Sequence, residues 1–542
     1  MKLPKLLDCT LRDGGYINNW NFSLHFGEAL YRAVSQSGCD FIEAGFFEPG
    51  AEAGLPWVNL GKGDLLRLQD RVPGGCEIAV MINYGSVNIE DVPTASNYPA
   101  QMIRVAAPKN KAEEGTIFAA KLSQLGYKTT INYMGVSNYT NQEILGLVNL
   151  MNQYTDQIDY FYVADSFGSL FPKRTKEIFT TLRFGTAAKL GFHPHNNLQM
   201  AFANCLEAIE AGVDIIDSSV FGMGRGAGNL FTDAILAYFE KEEPDRFHLL
   251  PILQFADLYM EELKKTYSWG YSLPQLLSGI ISCHPNFPTN LLREKAYTAD
   301  DIYRILQHLP EGETSRFSHQ MLQEIKAEHT HAQTALGVTK ISQKLRDEVI
   351  NKKRKALLIC GGPSVVKELP RIETFIADNA PTVFSVNNPV TPVSVDGVIF
   401  CNRRRLLQYY DAIPSSVMVV FGPEIHENAK LDFDISEITQ INPVEFLREL
   451  KFQLEGDPTN SAIVSVLGLL QVGFKEIYIC GLDGYGNEEN YYYNEADQLL
   501  GEEEKDAENH KILKQVQMLS GLKKLIDFKF VSITESRFFS NQ

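Results

Sequence analysis

Gly191-Phe192-His193-Pro194-His195-Asn196-Asn197 is the stretch on which the fold turns. At the end of a β-strand, His193 and His195 share a face, because side chains two residues apart point the same way. Two imidazoles converging from a strand end form half of a metal site, and Pro194 stiffens the backbone between them. A polar turn with two solvated histidines is the plainer interpretation, and the surrounding chain decides between the two. Apolar, β-rich runs recur before and after it, at Lys5–Thr10, Asp40–Phe46, Glu77–Asn83, Met102–Ala106, Lys128–Met134, Asp159–Ala164, Leu190–His195 and Val213–Val220. Helical stretches such as Phe26–Ser37, Glu114–Leu125, Asn141–Tyr154, Lys173–Leu182 and Leu198–Ala211 fall between most of them. Eight buried-type strands in βα alternation predict an α/β chain that begins with a (β/α)8 barrel rather than an open doubly wound sheet. The first strand is followed by no GxGxxG, which weighs against a dinucleotide fold.

A barrel assigns its chemistry to the carboxyl ends of its strands. Those ends carry Arg12-Asp13, Glu43, Asn83, Asn132, Asp165, His193/His195 and Ser218-Ser219, so polar residues recur where the pocket belongs. Asp13 is placed to add an oxygen ligand to the two imidazoles.

The 542 residues are too many for one core, and 44% hydrophobic with 22% charged residues is ordinary globular composition. A net charge of −17 argues against non-specific nucleic-acid binding and offers anionic membranes no basic patch. No apolar run reaches the ~18 residues of a membrane span, and Met1-Lys2-Leu3-Pro4-Lys5 leads into a strand rather than a signal peptide. Eight cysteines scattered without a CxxC read as reduced thiols, and the expected location is cytoplasmic.

Four motifs resemble one family. They are Leu6-Leu7-Asp8-Cys9-Thr10-Leu11-Arg12-Asp13-Gly14-Gly15, Val163-Ala164-Asp165-Ser166-Phe167-Gly168, His193-Pro194-His195-Asn196-Asn197, and Asp217-Ser218-Ser219-Val220-Phe221-Gly222-Met223-Gly224-Arg225-Gly226-Ala227-Gly228-Asn229. Together they resemble the pyruvate-type metal-dependent aldolases and lyases, which include 4-hydroxy-2-oxovalerate aldolase, hydroxymethylglutaryl-CoA lyase and the isopropylmalate and homocitrate synthases. The last motif looks closest to hydroxyoxovalerate aldolase. The resemblance implies that Asp13, His193 and His195 bind a divalent cation, Mn²⁺ first and Mg²⁺ or Co²⁺ as alternatives. It implies Arg12 as the group that stabilises an enolate, with Glu43, Asp165, Asn197 and Asn229 as pocket or supporting groups. The implied partners are a 2-oxo acid such as pyruvate and an aldehyde, in a homo-oligomeric enzyme. Hydroxyoxovalerate aldolases carry a histidine base just after the Arg-Asp-Gly run, where this chain has Tyr16. A phenol near its reference pKa of ~10 is a poor base, so a metal-bound hydroxide, Tyr16 or His284 remain alternatives for that role. No counterpart of the lyases' catalytic cysteine loop is present, which counts against an acyl-CoA substrate.

The barrel is expected over residues 1–250 and a helical extension and linker over 251–354, and the strand pattern restarts in a Rossmann-like domain over 355–542. Its strand candidates are Ala356–Cys360, Thr382–Val386, Gly397–Cys401, Val417–Phe421, Glu476–Cys480 and Phe528–Ser532. Gly361-Gly362-Pro363-Ser364 after the first of them is expected to meet a phosphate at a helix N-terminus. With Ser385-Val386-Asn387-Asn388, Thr459-Asn460-Ser461 and the run Gly473–Tyr485, this set resembles the bacterial sialyltransferases that use CMP-activated sugars. That resemblance implies a CMP-sugar pocket lined by Gly362, Ser364, Asn388, Thr459 and Ser461, with His510 as base, and a role in surface-polysaccharide assembly. A phosphate- or pyrophosphate-transferring module and a non-catalytic nucleotide-binding module are the alternatives. The acidic, tyrosine-rich run from Tyr491 to Glu504 is read as a lid or as a solvated loop.

Overall fold

The alternation closes on itself. β1 (Lys5–Asp8), β2 (Phe41–Phe46), β3 (Glu77–Asn83), β4 (Met102–Ala107), β5 (Lys128–Met134), β6 (Tyr160–Asp165), β7 (Leu190–Pro194) and β8 (Ile215–Ser218) form a closed parallel barrel in sequence order, β8 pairing back onto β1. The coordinates are a computed structural model and describe residues 2–49, 57–294, 297–310, 312–314, 316–334, 341–351, 354–422, 425, 438–452, 460–485 and 502–539. The chain divides into two units: 1–290 with 309–319, and 291–308 with 320–542.

Alternation with period two layers the barrel interior. Leu7, Phe41, Ala79, Met102, Tyr160 and Ile215 pack an apolar floor. Two residues further along their strands, Glu43, Arg104, Tyr162 and Asp217 make a middle layer, each with 0% exposure. One more step along β7 reaches His193, and the mouth begins there. A bulge in β2 between Glu43 and Gly45 shifts the register against β3, a device that re-aims a side chain near a site. Outside the strands, the helices bury Leu30, Val34, Ile144, Met151, Phe179 and Leu236 against the sheet.

The first strand stops short of the expected Thr10. The Asp8 carboxylate accepts the Thr10 N–H at 3.0 Å, and the Thr10 hydroxyl accepts the Val220 N–H at 2.8 Å. Those bonds turn the chain into a helix, Thr10–Asn18, that carries Arg12, Asp13 and Tyr16 over the mouth. After the barrel strands, the helix Leu273–Ile281 packs with the barrel unit, where Gly279 leaves room for Asn197 and Leu198.

The second unit holds a seven-stranded parallel sheet of β9 (Lys355–Ile359), β10 (Thr382–Val386), β11 (Gly397–Phe400), β12 (Met418–Phe421), β13 (Ile438–Gln440), β14 (Glu476–Cys480) and β15 (Lys529–Ser532). The strand order is β13-β12-β11-β10-β9-β14-β15, so the winding reverses between β9 and β14. The helix Ser461–Val472 is apolar all round and buried against this sheet, and Asn460 caps it by accepting from the N–H groups of Ala462 and Ile463. No helix among the described residues is long and apolar enough to cross a membrane.

Candidate functional site

Three ligand-type side chains meet at the barrel mouth. One ligand atom from each of Asp13, His193 and His195 lies within 4.8 Å of the others, and all three residues are buried. Their outer atoms are fixed by the fold. His193 Nδ1 is 2.8 Å from Asp217 Oδ2, and His195 Nδ1 is 3.3 Å from the Gly228 carbonyl. Each ring thereby donates its Nδ1–H, which leaves Nε2 as the nitrogen available to a metal. Asp13 Oδ2 accepts from Asn229 Nδ2 at 2.7 Å, and Asp13 Oδ1 from Arg12 Nη1 at 2.5 Å.

The electrostatics agree with the donor set. Burial disfavours an ionised Asp13, but the Arg12 guanidinium and the two imidazoles outweigh it and hold the carboxyl well below the usual range. Burial, opposed by Asp13 and reinforced by His193, Arg225 and Arg12, pushes the His195 imidazole down to about 3. At neutral pH the site therefore presents one carboxylate and a neutral His195, a mixed oxygen/nitrogen set suited to a divalent first-row or alkaline-earth cation.

Below the ligands runs an alternating chain of charges. Arg12 Nε donates to Glu43 Oε2 at 2.6 Å, Glu43 Oε1 lies 3.0 Å from Arg104 Nη1, and Arg104 Nη2 donates to Asp217 Oδ2 at 2.6 Å. Asp217 then holds His193, so the route Asp13–Arg12–Glu43–Arg104–Asp217–His193 joins two ligands through the barrel interior. Three carboxylates and two guanidiniums leave one negative charge, which favours a cation at the ligand cluster. No local sequence pattern assigns a role to Arg104 or Asp217. The available signal was a lone arginine inside the apolar strand Met102-Ile103-Arg104-Val105-Ala106, where an unpaired charge is too costly to keep.

The other expected site residues divide between holding the site and holding its loops. Glu43 reaches Arg12 and Arg104 from a fully buried position, and Asn229 holds Asp13. Asp165, expected as a pocket or supporting group, accepts the N–H groups of Ser169 and Leu170 with its two oxygens, and burial pushes its pKa up to about 6. Asn197 likewise serves its surroundings, accepting from Ala227 N–H at 3.1 Å and donating to Ser278 Oγ at 3.4 Å. Tyr16 sits at the mouth with its ring 4.7 Å from Trp20; desolvation raises its phenol pKa against the pull of Arg225 and Arg12, which makes its phenolate form scarcer still at neutral pH. His284 is half-buried, and its ring accepts the Asn286 N–H at 3.2 Å.

In the second unit, the Gly361–Ser364 turn does not present its donors to a phosphate. The Asp483 carboxylate accepts from Ser364 N–H at 2.8 Å and from Ser364 Oγ at 2.6 Å. Gly362 permits this approach, since a Cβ there would lie 2.5 Å from Asp483 Oδ2. The helix that follows, Ser364–Lys367, is a single turn, too short for an appreciable dipole. Asn388 closes its own turn by accepting the Val390 N–H at 2.9 Å, and Ser461 stands in the first turn of its helix. His510 is exposed, one residue after Asn509, whose side chain pairs with both backbone groups of Tyr485 beside Asp483. Thr459 and Tyr491–Tyr493 lie outside the described residues.

Comparisons with known proteins bear on the barrel. The HMGL-like family model matches residues 87–258. The 4-hydroxy-2-oxovalerate aldolase of Moorella thermoacetica is 28% identical over 238 residues, which is 44% of this chain and 70% of that one. The enzyme of the same name from Bacillus thuringiensis is 29% identical over 242 residues, with the same two coverages. Among solved structures, the N-terminal domain of a candidate aldolase from Bacteroides vulgatus superposes with a TM-score of 0.50 at 28% identity, covering 55% of this chain and 99% of that one. The first half of the chain is thus similar to the HMGL-like aldolases and lyases, and to 4-hydroxy-2-oxovalerate aldolases in particular.

Proposed function

We propose that the barrel is a divalent-metal-dependent aldolase that makes or breaks a carbon–carbon bond between pyruvate, or a close 2-oxo acid, and an aldehyde. The observation that carries this is the Asp13–His193–His195 cluster with Arg12 bonded to it at the mouth of a barrel similar to hydroxyoxovalerate aldolases. Asp13, His193 and His195 would hold the cation, which when bound supplies Lewis acidity toward the 2-oxo acid.

The chain's own groups do the rest. Arg12 spends Nε on Glu43 and one Nη1 hydrogen on Asp13, so three of its five N–H donors remain for oxygen atoms of the substrate. A guanidinium fixed beside the reacting keto oxygen stabilises the negative charge that grows there as the methyl group loses a proton. In the addition direction, pyruvate C3 bonds to the aldehyde carbon, and the aldehyde oxygen takes up a proton to become a hydroxyl. The proton given up by the methyl group balances it. Tyr16, at the mouth, would pass that proton or hydrogen-bond the new alcohol.

The test needs no knowledge of the aldehyde. Methyl protons of pyruvate exchange with deuterium in the presence of Mg²⁺ or Mn²⁺, followed by NMR after the metal is stripped from the sample. Exchange is expected to stop when the protein is incubated with EDTA and to return with added metal. Absence of exchange under every metal tried sinks the reading.

For the second unit, the same proposal includes a nucleotide-sugar site, consistent with a part in surface-polysaccharide assembly. Its support is the reversal of winding between β9 and β14, where open parallel sheets bind ligands at the carboxyl edge. Ser364 and Asp483 stand at that edge, and a carboxylate there suits ribose hydroxyls better than phosphates. Calorimetric titration with CMP is expected to give binding that Asp483→Asn weakens; equal, weak binding of CMP and ATP by both proteins defeats it.

A further inference from the structure

Arg225 stands on the loop that joins β8 to Asn229, and its backbone is fixed by what flanks it. Gly224 passes so close to the site that a Cβ there would lie 2.6 Å from Asp13 Oδ2 and 2.5 Å from Asn229 Nδ2. On the other side Gly226, at φ +71°, would put a Cβ 2.9 Å from Asn197 Oδ1. The arginine between them is therefore held at the rim of the metal-ligand cluster, whatever its side chain does.

The side chain reaches across the mouth. Its Cζ lies 5.9 Å from the centre of the Tyr16 ring, on the helix after β1, and Nη2 is 3.4 Å from the carbonyl of Ser166, just beyond β6. Those two groups belong to different sides of the barrel mouth, so the guanidinium overhangs it. One long hydrogen bond and a distant ring are weak restraints for a half-buried cation, and among the described residues no carboxylate lies within 4.0 Å of it. Arg12 and Arg104, by contrast, are each matched by two carboxylates.

The opposite side of the mouth is apolar. Phe46, Met81 and Ala106 cluster with Trp20 and Met134 near the carboxyl ends of β2 to β5, and Trp20 connects them to Tyr16. An acceptor rich in hydroxyls would leave those hydroxyls without partners along that wall. A short carbon chain ending in an anion fits both surfaces.

We infer that the acceptor aldehyde carries an anionic group, a carboxylate or a phosphate, which Arg225 binds while its carbon chain lies on the Trp20–Phe46 wall. The inference rests on the aldolase reading above and specifies its substrate class.

The experiment compares pyruvate addition to three aldehydes: succinic semialdehyde, glyceraldehyde 3-phosphate and uncharged butyraldehyde. Wild-type enzyme is expected to favour one anionic aldehyde over butyraldehyde in kcat/KM, and which one it favours separates carboxylate from phosphate. In Arg225→Gln that preference falls by roughly 10- to 100-fold, mainly through KM, and Arg225→Lys restores part of it. A wild-type preference for butyraldehyde overturns the inference, as does an Arg225→Gln variant that loses all three substrates in equal proportion. Pyruvate methyl exchange in the wild type distinguishes the two levels. Exchange without an anion preference removes this inference alone, whereas loss of exchange removes the aldolase reading with it.

Discussion

Replacing Arg104 with methionine lowers the unfolding free energy of the barrel by about 3–5 kcal/mol and weakens Mn²⁺ binding by roughly 10- to 100-fold. The guanidinium has 0% exposure, bonds Asp217 at 2.6 Å, faces Glu43 at 3.0 Å and lies 4.4 Å from the centre of the Tyr162 ring. Methionine fills much of the same volume, so the cost comes from charge. Two carboxylates that remain fully buried lose the cation between them, and a buried charge without its partner is strongly destabilising. Asp217 then takes up a proton more readily, and a protonated Asp217 holds His193 Nδ1–H less firmly. All three tryptophans, Trp20, Trp57 and Trp269, fall in the barrel unit, so their fluorescence follows its unfolding in urea without interference from the second unit. A variant combining Arg104→Met with Glu43→Gln and Asp217→Asn separates two roles. It regains stability because no buried charge is left unpaired, but its metal affinity stays low because Asp217 no longer orients His193. Unchanged Mn²⁺ affinity in Arg104→Met would make the ion-pair chain a structural brace alone.

That chain also marks where sequence reasoning stopped. The eight barrel strands were legible because each is a buried run of β-formers, most of them separated from the next by an amphipathic helix, and neither feature depends on distant contacts. The two histidines and Asp13 were legible because strand-end position and residue chemistry coincide. Arg104 was not: its meaning lies in Glu43 and Asp217, 61 and 113 residues away, and no local pattern relates the three. Strand ends were blurred for a similar reason. Thr10 is β-branched and follows a strand, but the Asp8 carboxylate and Val220 N–H decide that it starts a helix. In the second unit, β13 is not legible in the sequence because three residues, Ile438-Thr439-Gln440, are too short for a period to show. The Gly361–Ser364 turn is the converse case. Its local form suits an anion, and the anion it meets is Asp483, 119 residues along the chain.

Arg12→Lys is expected to reduce metal-dependent exchange of pyruvate's methyl protons by roughly 10²- to 10³-fold, the loss found when a preorganised donor is taken from an oxyanion site. The positive charge survives this substitution; the fork does not. Arg12 bonds Glu43 through Nε and Asp13 through Nη1 while keeping further N–H groups in the same plane. An ammonium is a point donor, and satisfying both carboxylates draws it away from the keto oxygen. Binding of Mn²⁺ should change by less than tenfold, because Asp13 keeps its bond from Asn229 and a neighbouring cation. The two measurements together decide what Arg12 does. Slow exchange at saturating Mn²⁺ makes it the group that stabilises developing negative charge. If excess Mn²⁺ instead restores the wild-type rate, Arg12 acts by positioning Asp13, and the charge that grows on the substrate oxygen is met by the cation without help from the guanidinium.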